Sequence, residues 1–466
     1  MNATFVIVGG GIAGVSCAET LAFFEPDEKI ILISESSLIK TVTNLHALTK
    51  MLYNFDIVEK EADSLSEIHP NITVIHDGVR AINTVRNIVT TKSNATVSYK
   101  YLCICTGGRP KIIPQAENSK YVLGIRDTDS VDEFIERLSK CTKIAIVGNG
   151  GIASEIIYKI RNVEVHWIIK DKHITATFVE PGAATFFQNC LESSNNAQEP
   201  TPSKRMRYKE DGGHKSGAAL GPDWYKSLEI HGASSTSLPS NIKIHFETEV
   251  AGIKEPGHDN EHPVQLYLTN KEIILCDLIV SATGVVPQNS FNVVGNKFET
   301  SEDGGISVNE FLQSTVKNIY AAGDVCSPNW VFAKHWFPMK LWTQARQMGC
   351  YAAKCMSAHS KNQDILQDFC FELFAHSTKL FGYKVILLGL YNGQKLGRDY
   401  EIMLRTTKGS EYIKFIMQNH RLQGAILIGE TDLEETCENL ILNQIDLSPY
   451  GTDILDPNID IEDYFD

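Results

Sequence analysis

The sequence predicts an α/β protein made of two interleaved, doubly wound strand–helix units followed by a smaller α/β domain. Three observations predict it. A glycine-rich strand-to-helix turn occupies residues 9–14, the same turn returns at residues 148–153, and two apolar strands end in Thr-Gly, at Thr106-Gly107 and Thr283-Gly284. At 466 residues the chain is also too long for one core, so two or three domains are expected.

In the first unit, Phe5 to Val8 reads as a buried strand and Lys29 to Ile33 as the next parallel strand. Between them Ile12 to Phe24 reads as a helix, with Ala13, Gly14, Ser16, Cys17 and Ala18 on the face that must approach a sheet. In that setting Gly9-Gly10-Gly11-Ile12-Ala13-Gly14 has a mechanical meaning. Gly9 permits the tight turn, Gly11 lets a pyrophosphate approach the backbone, and Gly14 lets helix and strand pack closely. The amides of Gly11, Ile12 and Ala13 and the positive end of the helix dipole favour phosphate. Glu35, about twenty residues past the last glycine of the turn and followed by Ser36, can accept hydrogen bonds from a ribose diol. A dinucleotide belongs on this turn.

The second unit repeats the pattern over Lys143 to Lys170. Gly148 and Gly150 match the first two glycines, Gly151 follows, and Ala153 takes the third position, slightly widening the helix–strand gap. Two dinucleotides are therefore expected. Lys170 stands where Glu35 stood. A lysine cannot accept from a ribose 2′-hydroxyl, but it can meet a 2′-phosphate, which leans toward NADPH or toward weak discrimination between NADPH and NADH. A solvated charge within Lys170-Asp171-Lys172 is the alternative.

Tyr99 to Pro110 and Cys276 to Gln288 carry the two Thr-Gly turns, and Asn318 to Ser327 gives a strand ending in Gly323-Asp324. With the two glycine turns, these segments resemble the pyridine nucleotide-disulphide oxidoreductase superfamily over roughly residues 4–350. The resemblance implies two interleaved Rossmann-like domains, for FAD and NAD(P)H. The FAD domain would comprise residues 1–115 and 275–350, and the NAD(P)H domain 116–274, with an irregular insertion at about 192–240. Residues 365–466 would form the C-terminal α/β domain, which in that superfamily often makes a homodimer interface.

Site residues follow from the same resemblance. Cys105, Thr106 and Gly107, and Thr283 and Gly284, would cross between the domains, Gly323-Asp324 would hold the flavin ribityl chain, and the Val79 backbone would meet adenine. Leu341, Trp342 and Thr343, where "LWTQARQMG" should begin a helix, would turn their amides to flavin O2 and N1. In the second unit Gly148, Gly150 and Gly151 would cradle the nicotinamide cofactor's pyrophosphate, and Glu155 would lie near the flavin, moving when nicotinamide arrives.

One part of the superfamily pattern is missing. Its disulphide reductases carry a Cys-x4-Cys pair after the acidic residue of the first unit, whereas Ser36 to Lys50 here contains no cysteine, and no C-terminal histidine takes the acid–base place. Without a thiol beside the flavin there is no thiolate–disulphide couple to carry electrons. Lys40 is the candidate for the vacant place, where a cation would stabilise the reduced ring; an ordinary surface lysine is the alternative. Lys40 to Asn44, Gly124 to Ser130 and the acidic tail resemble one animal subfamily. Its members are described as nuclear and cytoplasmic flavoproteins of the oxidative-stress response that protect the tRNA ligase complex. That resemblance makes two functions available: an NAD(P)H-linked enzyme passing electrons to a small acceptor or oxygen, or a slow-turnover flavoprotein that shields a partner.

The rest of the sequence narrows the class. A net charge of −14 argues against a broad nucleic-acid surface. Eleven scattered cysteines without CxxC or zinc-ligand spacing suit buried thiols of a reducing compartment, and no metal site is expected. No apolar run reaches membrane-spanning length. Within the insertion Lys204, Arg205 and Arg207 could contact RNA or simply be solvated; the acidic-and-apolar tail past Asp453 reads as a docking segment or a frayed end.

Overall fold

The computed structural model describes residues 1–116, 119–193, 224–225, 228–233, 241–255 and 262–456. Most of the insertion at 192–240 and the tail from 457 onward lie outside the described residues.

The first unit is an eight-stranded sheet. Its parallel heart runs Ile72–His76, Ile30–Ser34, Asn2–Val8, Thr96–Ile104 and Ile319–Ala321. Every residue of Ile30–Ser34 is buried, the pattern of a parallel strand covered on both faces. The helix Ile12–Phe24 packs on one face with its small residues inward, and a second helix, Trp342–Ser360, lies against it. The crossing is close: a Cβ on Gly349 would sit 2.2 Å from the Ala13 carbonyl oxygen.

The second unit is a five-stranded parallel sheet in the order Val122–Gly124, Leu278–Ser281, Lys143–Val147, Glu164–Ile168 and Ile242–His245. This corrects the expected boundary at 275. Leu278–Ser281 is wholly buried between two strands of the second sheet, where its apolar run extends the parallel ladder, so the chain returns to the first unit only after Thr283-Gly284. A three-stranded meander, Val250–Lys254, Val264–Leu268 and Ile273–Cys276, feeds into that strand.

The third domain is a five-stranded antiparallel sheet, ordered Ala375–Leu380, Tyr383–Gly389, Arg421–Ile428, Glu411–Gln418 and Glu401–Thr407, with the helix Glu434–Asn443 against it. In the sequence the apolar runs at 384–389, 412–417 and 425–430 read as strands and 433–444 as a helix, which matches three of these strands and the helix; Ala375–Leu380 and Glu401–Thr407 carry no such signal. A hairpin of the first unit, Leu38–Ala47 with Tyr53–Glu61, reaches across to this domain. Its turn is held by the buried Glu438 carboxylate, which accepts from the Lys50 and Met51 amides at 3.1 Å each and from the Thr49 hydroxyl. Among the described residues no helix is long and apolar enough to cross a membrane.

Candidate functional site

The two glycine turns are built alike. Gly9 and Gly148 have φ of +118° and +130°, a backbone that a side chain would strain. A Cβ on either would lie 2.1 Å from a carbonyl oxygen of the neighbouring strand end, Cys105 in one unit and Ala282 in the other. Gly14 must be glycine because its Cβ would fall 1.8 Å from the Gly9 oxygen; in the second unit Ala153 fits with its side chain fully buried.

Gly11 and Gly150 are different. They have φ of −79° and −95°, cap their helices without a side-chain bond, and would direct a Cβ into open space with nothing within 4 Å. Nothing in the protein requires glycine there. Their bareness leaves room for a group lying against the helix amides, which is what a pyrophosphate needs.

Glu35 and Lys170 occupy equivalent positions in strand register. Val8 pairs with Ile33 and Val147 with Ile168, and Glu35 and Lys170 each lie two residues further on. Glu35 is half-exposed and ion-paired to Lys92 at 2.5 Å, and Lys170 is exposed. Ser36 is turned inward, its hydroxyl accepting from the Leu38 amide at 3.1 Å. Val79 opens the strand Val79–Asn83 directly after Gly78, whose Cβ position is 3.1 Å from the Glu35 carboxyl carbon.

The two Thr-Gly turns meet. Gly108–Pro110 and Val285–Pro287, directly after them, pair as a two-stranded ribbon. The Thr106 hydroxyl donates to the Gln288 carbonyl, and that of Thr283 to the Lys111 carbonyl at 2.8 Å. Gly107 and Gly284 have φ of +68° and +102°. The crossing is thus one shared ribbon of two strands.

Further along the first unit, Gly323 (φ +80°) and Asp324 line a cavity of about 390 Å³ with Lys340, Leu341, Gln344 and Met348. Burial raises the Asp324 carboxyl above its usual range, while Lys340 and Arg126 pull it down. The helix Trp342–Ser360 starts at Leu341 with no side-chain cap. Trp342 and Thr343 also line a second cavity, of about 290 Å³, where Tyr53 and Phe55 of the hairpin, Glu155 of the second unit, and Ser377 and Thr378 of the third domain converge.

Lys40 is no surface lysine. Its side chain is 6% exposed and its ammonium sits 2.6 Å from Glu59, whose carboxylate also accepts from the Thr128 hydroxyl of the second unit. Its backbone amide donates to Gly10 at 3.0 Å, so it lies directly beside the first glycine turn.

The sequence pattern of the Pyridine nucleotide-disulphide oxidoreductase family matches residues 3–196 and 234–349. The chain is 49% identical to pyridine nucleotide-disulfide oxidoreductase domain-containing protein 1 of Drosophila melanogaster, with 99% of each covered. To the protein so named in Homo sapiens it is 48% identical, covering 99% of this chain and 98% of the relative. The chain belongs to this family. Its fold is also that of a chain in the covalent putidaredoxin reductase–putidaredoxin complex, at a TM-score of 0.69 and 16% identity over 99% of this chain and 98% of the other.

Membership makes this a flavin- and nicotinamide-linked redox protein whose cofactors are FAD and NAD(P)H. The residues present fit two such groups: two bare glycine cradles, each on an uncapped helix start, and two cavities around the uncapped start of the helix Trp342–Ser360. The sequence reading missed four residues that shape the space between them. Glu59 pairs Lys40, Arg126 acts on Asp324, and His376 meets Thr343. Trp224, one of the insertion's described residues, donates its indole N–H to the Glu155 carboxylate at 2.7 Å. Arg126, His376 and Trp224 reach their partners across domains or from far along the chain, and Glu59 faces Lys40 across the hairpin strands, a pairing that only the strand register sets.

The described cysteines are mostly buried. Cys103 and Cys105 lie with sulfurs 3.5 Å apart beneath the first glycine turn, and the hydrogen bond they share together with burial pushes the Cys105 thiol well up. Burial likewise raises Cys326 and Cys355. Burial thus disfavours the thiolate at Cys105, Cys326 and Cys355.

Proposed function

We propose that this chain is an NAD(P)H-dependent FAD oxidoreductase that passes electrons to a small acceptor or oxygen without a redox-active cysteine pair, in the oxidative-stress response of cytoplasm and nucleus. The observation that carries the cysteine-free reading is the cavity between the three domains. It is lined by Tyr53, Glu155, Trp342 and Thr343, and no cysteine is among its described lining residues; Cys326, which borders the neighbouring cavity beside Asp324, is a buried thiol that donates to the Gly323 carbonyl and is raised by burial. FAD, when bound, supplies a two-electron acceptor for the hydride of NAD(P)H. The residues do the rest. Gly11, Ile12 and Ala13 hold the FAD pyrophosphate and Glu35 its ribose, while Asp324 holds the ribityl chain. The amides from Leu341 to Thr343 favour negative charge on the pyrimidine edge, and Lys40, kept dry and oriented by Glu59, does so from the hairpin side. Gly148 and Gly150 hold the nicotinamide cofactor, with Lys170 toward a 2′-phosphate.

A slower role, in which the reduced protein with bound NAD(P)+ shields a partner such as the tRNA ligase complex, is supported by the Trp224–Glu155 hydrogen bond. It occupies the carboxylate that arriving nicotinamide would have to displace. One experiment separates the two. The holoprotein is reduced anaerobically with NADH or NADPH while the flavin spectrum is followed, and quinone, ferricyanide or oxygen is then admitted. Rapid reoxidation with multiple turnovers supports the enzyme. A long-lived reduced complex supports the shield, and no bleaching of the flavin by either nucleotide sinks both.

A further inference from the structure

His376 comes from the third domain, on the strand Ala375–Leu380, yet its ring lies against the start of the helix Trp342–Ser360. It is 1% exposed, its Nδ1 is 3.0 Å from the Thr343 hydroxyl oxygen, and its Nε2 is enclosed with no hydrogen-bond partner. Thr343 is itself buried and borders the cavity between the domains.

The bonding of this pair follows from proton counting. Burial holds the imidazole neutral, bringing its pKa down to about 3, so the ring has one N–H. If the proton sits on Nε2, a buried N–H has no acceptor, and the Thr343 hydroxyl proton is spent on Nδ1. If it sits on Nδ1, the ring donates to the threonine oxygen and the unpaired group is only a lone pair. An orphaned buried N–H is the costlier and rarer case. The second tautomer is therefore favoured, and it leaves the hydroxyl proton unspent. A threonine deeper in a helix would give that proton to the carbonyl four residues back, but Thr343, in the first turn, has no helical carbonyl there.

Resting on the reading that the flavin's pyrimidine edge meets this helix start, we infer that His376 is a positioning residue: its Nδ1–H holds the Thr343 oxygen so that the hydroxyl donates to that edge. The third domain thereby tunes a flavin bound by the first. A donor at this edge strengthens as the ring gains negative charge, so its effect is on the reduction potential more than on loading.

The test is a redox titration of the FAD-loaded protein against a reference dye, with the visible flavin spectrum recorded. Thr343→Val and His376→Gln, whose amide reaches the Nε2 rather than the Nδ1 position, should each disfavour reduced flavin about tenfold, a shift of about 30 mV for a two-electron couple. His376→Asn, which places an N–H at the Nδ1 position, should return the wild-type potential, and the Thr343→Val/His376→Gln double variant should match Thr343→Val alone. A wild-type potential in His376→Gln, or additive shifts in the double variant, overturns the role of His376. A wild-type potential in Thr343→Val overturns the donation itself. Thr343→Glu checks the underlying placement separately. A carboxylate tolerated by a helix start but set against the flavin should lower the potential strongly, and an unchanged potential and spectrum there would mean the ring lies elsewhere.

Discussion

Replacing Gly11 by valine should separate what the fold needs from what the cofactor needs. The Gly11 backbone is extended (φ −79°, ψ −176°), a conformation that valine adopts readily, and a Cβ there meets no atom within 4 Å. Exchanging one weak N-cap for a poorer one costs the apoprotein about 1 kcal/mol or less. The same Cβ projects into the space proposed for the pyrophosphate. Wild-type protein at a hundredfold excess of FAD over its Kd should gain about 2.7 kcal/mol, and the variant almost none. Gly9→Val is the contrast, since its Cβ would sit 2.1 Å from the Cys105 oxygen at a φ of +118°. That variant should be destabilised even without FAD, because neither the backbone oxygen nor the strained φ can yield. The assay is thermal unfolding of deflavinated protein with and without added FAD, alongside visible absorbance of the purified forms. Gly11→Val should be colourless, with an apoprotein midpoint near wild type and no FAD-dependent rise. A yellow variant with the wild-type rise, or an apoprotein as damaged as Gly9→Val, would refute the reasoning.

Lys170→Glu should weaken NADPH about tenfold, the worth of one partly exposed lysine–phosphate contact, with little loss for NADH or FAD; equal losses in a binding titration would make Lys170 merely a solvated charge. Lys40→Met should lower the flavin midpoint potential by on the order of 30 mV or more, and an unchanged potential and reduction rate would remove Lys40 from the site. Glu438→Ala, which strips the Lys50 amide of its acceptor and the Thr49 hydroxyl of its own, should cost on the order of 2 kcal/mol in urea unfolding; a change within experimental error would show that the hairpin turn holds without it. Burial alone would raise the Glu164 carboxyl, but the hydrogen bond from Lys243 and the charge of Lys143 bring it down to about 2. Its stabilisation is therefore complete above an unfolded value of 4.5 and is lost as pH falls toward 2. Glu164→Gln should flatten the acid limb of the stability curve in that window, and an unchanged limb would dismiss the cluster as too solvated to matter.

Local pattern alone determined the two glycine turns, because strand, tight turn and helix follow one another within about thirty residues and each part limits the next. It gave Lys170 the position in the second unit that Glu35 has in the first, and both lie two residues past a strand paired with the glycine strand. It found the helix start at Trp342 and most of the third domain, where continuous apolar runs mark central strands. Tertiary structure decided the rest. Leu278–Ser281 reads equally well as a strand of either unit, and only its ladder between Val122–Gly124 and Lys143–Val147 assigns it. Lys40 looks like any surface lysine until Glu59, nineteen residues on, and Thr128 of another domain enclose it. His376 and Trp224 carry no signal of their own, because what they do depends on Thr343 and Glu155. The division has one physical cause. Backbone geometry and hydrophobic period are properties of neighbouring residues, whereas the burial of a charge and the pairing of a polar group depend on which distant segment the folded chain brings against them.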